Sequence, residues 1–375
     1  MTLVEDHDAR RSEDSGAHER LRVGIVAPPW VAVPPPVYGG TELVIDLLAR
    51  GLQAAGHEVV LCTTGDSTCP VPRRFVYPTA LGTTAHADDE IGHLWYSHDA
   101  LRGNCVDVVH DHTLIGPRLA RTTLAGMPLV TTVHGPFLPG ITEHYAAIAR
   151  RAAVVAISHH QRSTAPDVDV ARVIHHGIDV DRQTFGAGDG DYVLFLGRMS
   201  PDKGVHLAIE VARRAGRRLL IAAKMWEAPE RQYFRTFVEP LLGAGVVYLG
   251  EVSGQQKQDV LAGAEALVNP IRWPEPFGLV MVEALAAGTP VVSFAAGAAP
   301  EIVDDARTGF ICRDVDDMVT RLGDIGSIDR AVCRASATER FSAERMVRDH
   351  VELYRSVIDA TPASTSRSSR RRSAV

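Results

Sequence analysis

The stretch WPEPFGLVMVEALAAGTPVVS, residues 273–293, decides how this chain is read. From Leu279 to Ala287 every residue is apolar except Glu283. A helix that is apolar all round is a core helix, and a carboxylate inside one is costly unless something pairs with it. Just upstream, Glu275 stands between Pro274 and Pro276, where a helix cannot run. Strand-like EALVNP (265–270) comes immediately before. Strand, loop and buried helix in that order form a unit of a parallel sheet. Ligands of such sheets bind beyond the carboxyl ends of the strands, which is where both acids fall.

The same rhythm runs outward in both directions. LRVGIVA (21–27) leads through a Pro/Gly loop into a helix read over 41–56, with Thr41 as its cap and Gly56 as its end. EVVLCTT, VDVVHDH, LVTTVHG, AVVAIS and ARVIHH follow as further strands. DRQTFGAGDGD (181–191) is a Gly/Asp-rich break, after which YVLFLG (192–197) restarts the alternation. The expected architecture is two consecutive doubly wound α/β domains, with a hinge near 181–190 and no internal sequence repeat. Residues 1–20 and 361–375 lack apolar periodicity and read as a disordered N-terminal segment and a disordered basic tail.

The 375 residues are 45% hydrophobic and 23% charged, which suits two soluble domains with substantial cores. A net charge of −7 gives no support to a nucleic-acid partner. No apolar run reaches the length of a membrane span, and the polar start is no secretory signal. Five cysteines without CxxC spacing suggest a reduced, cytoplasmic protein.

Three strand ends carry the candidate chemistry. Gly39 and Gly40 precede a helix start and suit an anion or a closely approaching ligand as well as they suit a rigid turn. Arg198 and Lys203, in RMSPDKG after YVLFLG, form a pair fit for a diphosphate, or two solvated charges around a cap. Near Phe277, Gly278 and Leu279 a helix start favours phosphate or a polar sugar group. Glu283 could accept two ribose hydroxyls and Glu275 a second ring of hydroxyls. The plainer alternative is a buried Glu283 paired with a core arginine and a solvated Glu275. His134, at the end of LVTTVHG, is either a satisfied core residue or a sugar contact across a cleft. HDH (110–112), His159-His160 and His175-His176 lack the spacing of a metal site, and the DxD tripeptides at 167–169, 179–181, 189–191 and 314–316 fall in turns and linkers.

Taken in order, the Gly-Gly loop at 39–40, VHG at 133–135, HHGID at 175–179, LGRMSPDKG at 196–204, EPFGLVMVE at 275–283 and AAGTPVVS at 286–293 resemble glycosyltransferase family 4, whose E-x7-E motif is matched by Glu275 and Glu283. The resemblance implies a GT-B fold, two Rossmann-like domains facing a central cleft. It divides the chain into an acceptor-side domain (21–185), a nucleotide-sugar-binding domain (190–342) and a C-terminal helix (343–360) packing back on the first domain, with Ser342 as its N-cap.

The activity implied is a retaining, metal-independent, front-face transfer of a hexose from a UDP- or GDP-sugar to an unidentified hydroxyl acceptor. That acceptor is a small molecule, a glycan or a lipid-linked group, and the protein is cytoplasmic or peripheral at the inner membrane face. No cofactor or metal is implied. Catalytic roles would fall to Arg198, Lys203, Glu275 and His134, and donor binding to Gly39, Gly40, Phe277, Gly278, Leu279 and Glu283. The same fold also carries nucleotide-sugar epimerases and disaccharide phosphorylases, and a non-catalytic sugar-nucleotide-binding subunit is a third reading. Two departures stand out: His176 where the family has Asn, and IAAKMWEAPERQYF (221–234) where a Gly-bearing loop is usual.

Overall fold

A computed structural model describes residues 20–37, 39–82 and 87–361. Apart from Arg20 and Thr361, the segments read as a disordered start and tail lie outside the described residues.

The first domain holds β1 (Arg22–Val26), β2 (Glu58–Cys62), β3 (Arg73–Arg74), β4 (Val108–Asp111), β5 (Leu129–Val133), β6 (Ala153–Ala156) and β7 (Val170–Val173). The second holds β8 (Val193–Arg198), β9 (Leu219–Lys224), β10 (Val246–Gly250), β11 (Leu267–Asn269), β12 (Val291–Phe294) and β13 (Gly309–Cys312). The first sheet runs β3-β2-β1-β4-β5-β6-β7 and the second β10-β9-β8-β11-β12-β13, with every pairing parallel. Strands such as LVTTV of β5 are buried along their whole length, because helices cover both faces of a parallel sheet. Each sheet reverses its order once, at β1/β4 and at β8/β11. Ligands of doubly wound sheets sit at such points, and all the candidate loops follow these strands or their immediate neighbours.

The helix expected over 41–56 spans Gly40–Ala54. Its N-cap is Gly39 rather than Thr41, with no side-chain cap bond. Thr41 is thus inside the first turn, because the chain becomes helical as soon as the two glycines are passed. The helix Ala343–Ala360 is capped by Ser342, whose side chain accepts from the N–H of Arg345. It packs Met346, Val347 and Tyr354 into the core of the first domain with Leu48 and Leu52. Gly51 permits that approach, since a Cβ there would lie 2.5 Å from Val347 Cγ2. The two crossings between the domains are tied together where Ile178 N–H donates to Phe341 O and Ala343 N–H donates to Ile178 O, both at 2.9 Å. The Gly/Asp-rich stretch lies along the second domain, with Gly186, Gly188 and Gly190 N–H bonded to Ala287, Ala262 and Gly263. All five cysteines are free thiols, and Cys105 alone is exposed. Among the described residues no helix is long and apolar enough to cross a membrane.

Candidate functional site

The carboxyl ends of the two sheets face each other across a cleft of about 560 Å³. Every site candidate read from the sequence lines it except Arg198.

On the second-domain wall, the proline-flanked turn after β11 carries Glu275. Its carbonyl accepts from the N–H of Ala298 at 3.0 Å. Gly297 (φ 60°) sits so close behind that any Cβ would collide with the Glu275 backbone. The Glu275 carboxylate pairs with Lys203 Nζ and accepts from Trp273 Nε1 at 3.2 Å. Lys203 therefore reaches from the turn after β8 into the turn after β11, across the point where the strand order reverses. The helix Leu279–Ala286 starts from Gly278 (φ 108°) with no side-chain cap, so no side chain competes with a ligand for its first turn.

One turn further, Glu283 is 5% exposed and meets Lys257 Nζ at 2.5 Å. The plainer reading supposed a core arginine as partner. The partner is instead a lysine from the helix Gly254–Gly263 that itself lines the cleft. The other oxygen, Oε2, is buried and has no hydrogen-bond partner among the described residues. The carboxylate thus keeps unspent acceptor capacity at the cleft wall.

Arg198 ends β8 as expected, yet its guanidinium is drawn to Asp202 at 3.0 Å and lies 3.9 Å from Glu230. A second lysine takes its place in the lining. Lys224, at the end of β9, is 7% exposed, 3.5 Å from Glu230 and 4.5 Å from the Trp226 ring. Lys224 and Lys257 were not among the sequence candidates. The strand-end rule applied to IAAK would have found Lys224, but Lys257 carries no local signal.

On the first-domain wall, Gly40 lies directly opposite the helix start, a Cβ there falling 3.3 Å from Leu279 Cδ1. His134 follows β5, and its Nε2 is 2.9 Å from Nδ1 of His112. Its ring stacks on His176 at 5.2 Å and 24°, and His176 stands edge-on to Phe277 at 5.2 Å. The departure at position 176 is therefore one layer of a stack that joins the two domains. Burial, with His350 adding to it, brings His134 down to about 3. Burial and neighbouring histidines likewise hold His112 and His176 well below the ordinary imidazole range. All three rings are neutral at pH 7.

His159, His175 and Glu301 also gather, with ligand atoms within 4.8 Å of one another. The carboxylate is already engaged there. Glu301 accepts from the N–H groups of His159 and His160 at 2.8 and 2.6 Å and from His175 Nε2 at 2.9 Å. Burial pushes this carboxyl up, but those bonds outweigh it and leave Glu301 below its usual range. It works as a clasp from the second domain onto the first.

Two sheets of this topology, facing one cleft lined by these residues, form the GT-B architecture of a sugar-transferring enzyme. Residues 38–182 match the family model for Glycosyltransferase Family 4, and residues 178–323 match that for Glycosyl transferases group 1. The chain belongs to this glycosyltransferase family and is a transferase. It is 27% identical to α-maltose-1-phosphate synthase of Mycolicibacterium smegmatis, over 86% of this chain and 97% of that one. Among solved structures it is similar to AviGT4, a glycosyltransferase involved in avilamycin A biosynthesis, with 29% identity, a TM-score of 0.65 and coverage of 90% and 98%. Sucrose-phosphate synthase from Thermosynechococcus elongatus shares the fold at 18% identity, with a TM-score of 0.75 and coverage of 91% and 100%.

Proposed function

We propose that the chain transfers a hexose from a UDP- or GDP-sugar to a hydroxyl acceptor, with retention of configuration and without a metal. One observation carries this reading: two lysine–glutamate pairs, Lys203–Glu275 and Lys257–Glu283, flank one uncapped helix start at the cleft wall. A diphosphate would compete for Lys203 and Lys224, which Glu275 and Glu230 hold in the absence of a ligand. As it takes Lys203, Glu275 is released to accept from sugar hydroxyls. Glu283, with one oxygen unspent, accepts from the ribose diol. The N–H groups at Phe277 to Leu279 and the Gly39-Gly40 loop then close on phosphate and sugar from opposite walls. Positive charge at the diphosphate stabilises the leaving group, the main electrostatic demand of glycosyl transfer from such donors. Arg198 joins this set by turning from Asp202 to the ligand. No protein carboxylate is assigned as nucleophile; the acceptor attacks from the face on which the phosphate departs.

A thermal-shift panel of UDP-, GDP- and ADP-sugars tests the donor class, because a ligand bound only by the native state raises its melting point. Product analysis of the stabilising donor, with and without phosphate and hydroxyl acceptors, then separates transfer from epimerisation and phosphorolysis. A chain stabilised by none of these donors, and turning over none, overturns the reading.

A further inference from the structure

Two of the histidine pairs that show no metal spacing along the chain are brought together by the fold. His159 begins the helix His159–Ser163, and His175 follows β7, both in the first domain. Glu301, in the short helix Ala299–Ile302, meets them from the second. One ligand atom from each lies within 4.8 Å of the other two. Two imidazoles and a carboxylate are a donor set for zinc and similar ions, with water completing the shell.

The spacing is close to what such an ion needs. Two ligands, each about 2.0–2.1 Å from a tetrahedral zinc, stand about 3.3 Å apart. His175 Nε2 and Glu301 Oε2 are 2.9 Å apart, so this pair has to open by a few tenths of an ångström. His159 is exposed, with its ring edge-on to His175 at 5.8 Å. Turning that side chain inward by about 1.5 Å completes the set. The other two ligands are braced. The His175 ring lies 5.7 Å from Phe277 and 5.8 Å from Phe341. Arg340 bonds the Glu301 carbonyl and holds Asp304 at 2.9 Å.

The bonds already made to Glu301 orient its carboxylate without filling it. A carboxylate has about four acceptor positions, and three are in use, by the N–H groups of His159 and His160 and by His175 Nε2. The two backbone bonds survive when an ion binds. The proton on His175 Nε2 leaves, because an imidazole ligates in its neutral form through a bare nitrogen. Metal-ligating carboxylates are commonly hydrogen-bonded in this way.

We propose that Zn2+, or a transition-metal ion of similar preference, binds at His159, His175 and Glu301 and links the two domains there. The ion takes no part in the transfer chemistry; it restrains the cleft. Close to Glu301, the N–H of Ala298 donates to Glu275 O at 3.0 Å, so ligation also braces the turn that carries Glu275. A catalytic cycle that opens and closes the cleft is slowed by such a link. That kinetic consequence rests on the proposed function, and the metal site does not.

Titration of the full, metal-free chain with Co2+ and then Zn2+ tests the site with no donor present. One Co2+ per chain should bind, with the visible absorption of a four- or five-coordinate ion, and Zn2+ should displace it. Losing even an outer partner costs a metal site about 10–100-fold in affinity, so His159→Ala and His175→Ala should each weaken binding at least that much. His160→Ala keeps its backbone N–H to Glu301 and should bind as the wild type does, as should His134→Gln in the cleft. Zn2+ should raise the melting point of the wild type and leave that of His159→Ala unmoved. Uptake that survives in His159→Ala, that is lost in His160→Ala or His134→Gln, or that needs millimolar metal in the wild type overturns the inference.

Turnover then reads the link between domains. With UDP-glucose or GDP-mannose, whichever raises the melting point, saturating Zn2+ should lower the wild-type kcat several-fold, and a chelator should restore it. His159→Ala should match the metal-free wild type and ignore Zn2+. Wild-type turnover unmoved by bound Zn2+ overturns the restraint. A wild type that turns over neither donor refutes the proposed function instead, and the cobalt spectra still decide the site.

Discussion

Replacing Glu283 with glutamine separates packing from ligand binding at one atom. The side chain is 5% exposed and its partner Lys257 is 28% exposed. Glutamine keeps the volume, and the freed lysine has solvent within reach. Removing the charge relieves the desolvation of the carboxylate while giving up the pair, so the net effect on stability stays within about 1 kcal/mol. That corresponds to a melting shift of about 2–4 °C. Donor binding should change far more. A hydrogen bond to a charged group contributes about 1.5–3 kcal/mol, and the amide presents one acceptor where the carboxylate presents two. Losing one such bond weakens the complex by about 10–150-fold. Calorimetric titration of both proteins with UDP and GDP, beside thermal melts, measures the two quantities independently. Unchanged affinity together with a fall of ten degrees or more (about 3 kcal/mol) would show that Glu283 serves the core alone, and the ribose-clamp reasoning would fail.

Other parts of the site give sharp expectations. Lys203→Met removes the partner of Glu275 and one of the cations proposed to face the leaving group, so kcat for donor turnover should fall by about 100-fold or more while the melting point moves little; a single-turnover assay checks it. Gly297→Ala drives a methyl into the Glu275 backbone at φ 60°, which should cost about 1–3 kcal/mol and also reduce donor affinity, both read from melts with and without ligand. Stability should fall on acidification. His134 and His350 are held by burial at about 3 and about 4, below the unfolded value near 6.5. Below that value the unfolded chain binds more protons, so each ring removes about 1.4 kcal/mol per pH unit until its folded pKa is reached. Melts from about pH 8 to 5 should therefore drop steeply below about 6.5, and a flat profile would contradict neutral buried rings.

Much of this could be read locally. A parallel sheet needs long buried strands, and it places the residues after each strand on one edge. The rhythm of apolar runs therefore located Gly39, Gly40, Lys203, Glu275 and Glu283 at the cleft. The proline pair around Glu275 and the single acid in an apolar helix announced themselves because each breaks a local rule. Arg198 was placed correctly at its strand end, but which anion it faces depends on Asp202 and on Glu230 from a separate helix.

The chain order of apolar strands and helices determined the two doubly wound domains and the position of the glutamates after a strand end. Only the tertiary structure decided the partners. Lys257 reaches Glu283 from a different helix. His110 and His112 on the β4 side, His134 after β5, His176 after β7, and His350 and Tyr354 on the last helix form one buried cluster, although His110 and Tyr354 are 244 positions apart in the chain. Periodicity reports how each segment meets its own sheet, a local property of backbone geometry. The choice of which imidazole faces which is made through space, when the final helix crosses back, and no local pattern encodes it.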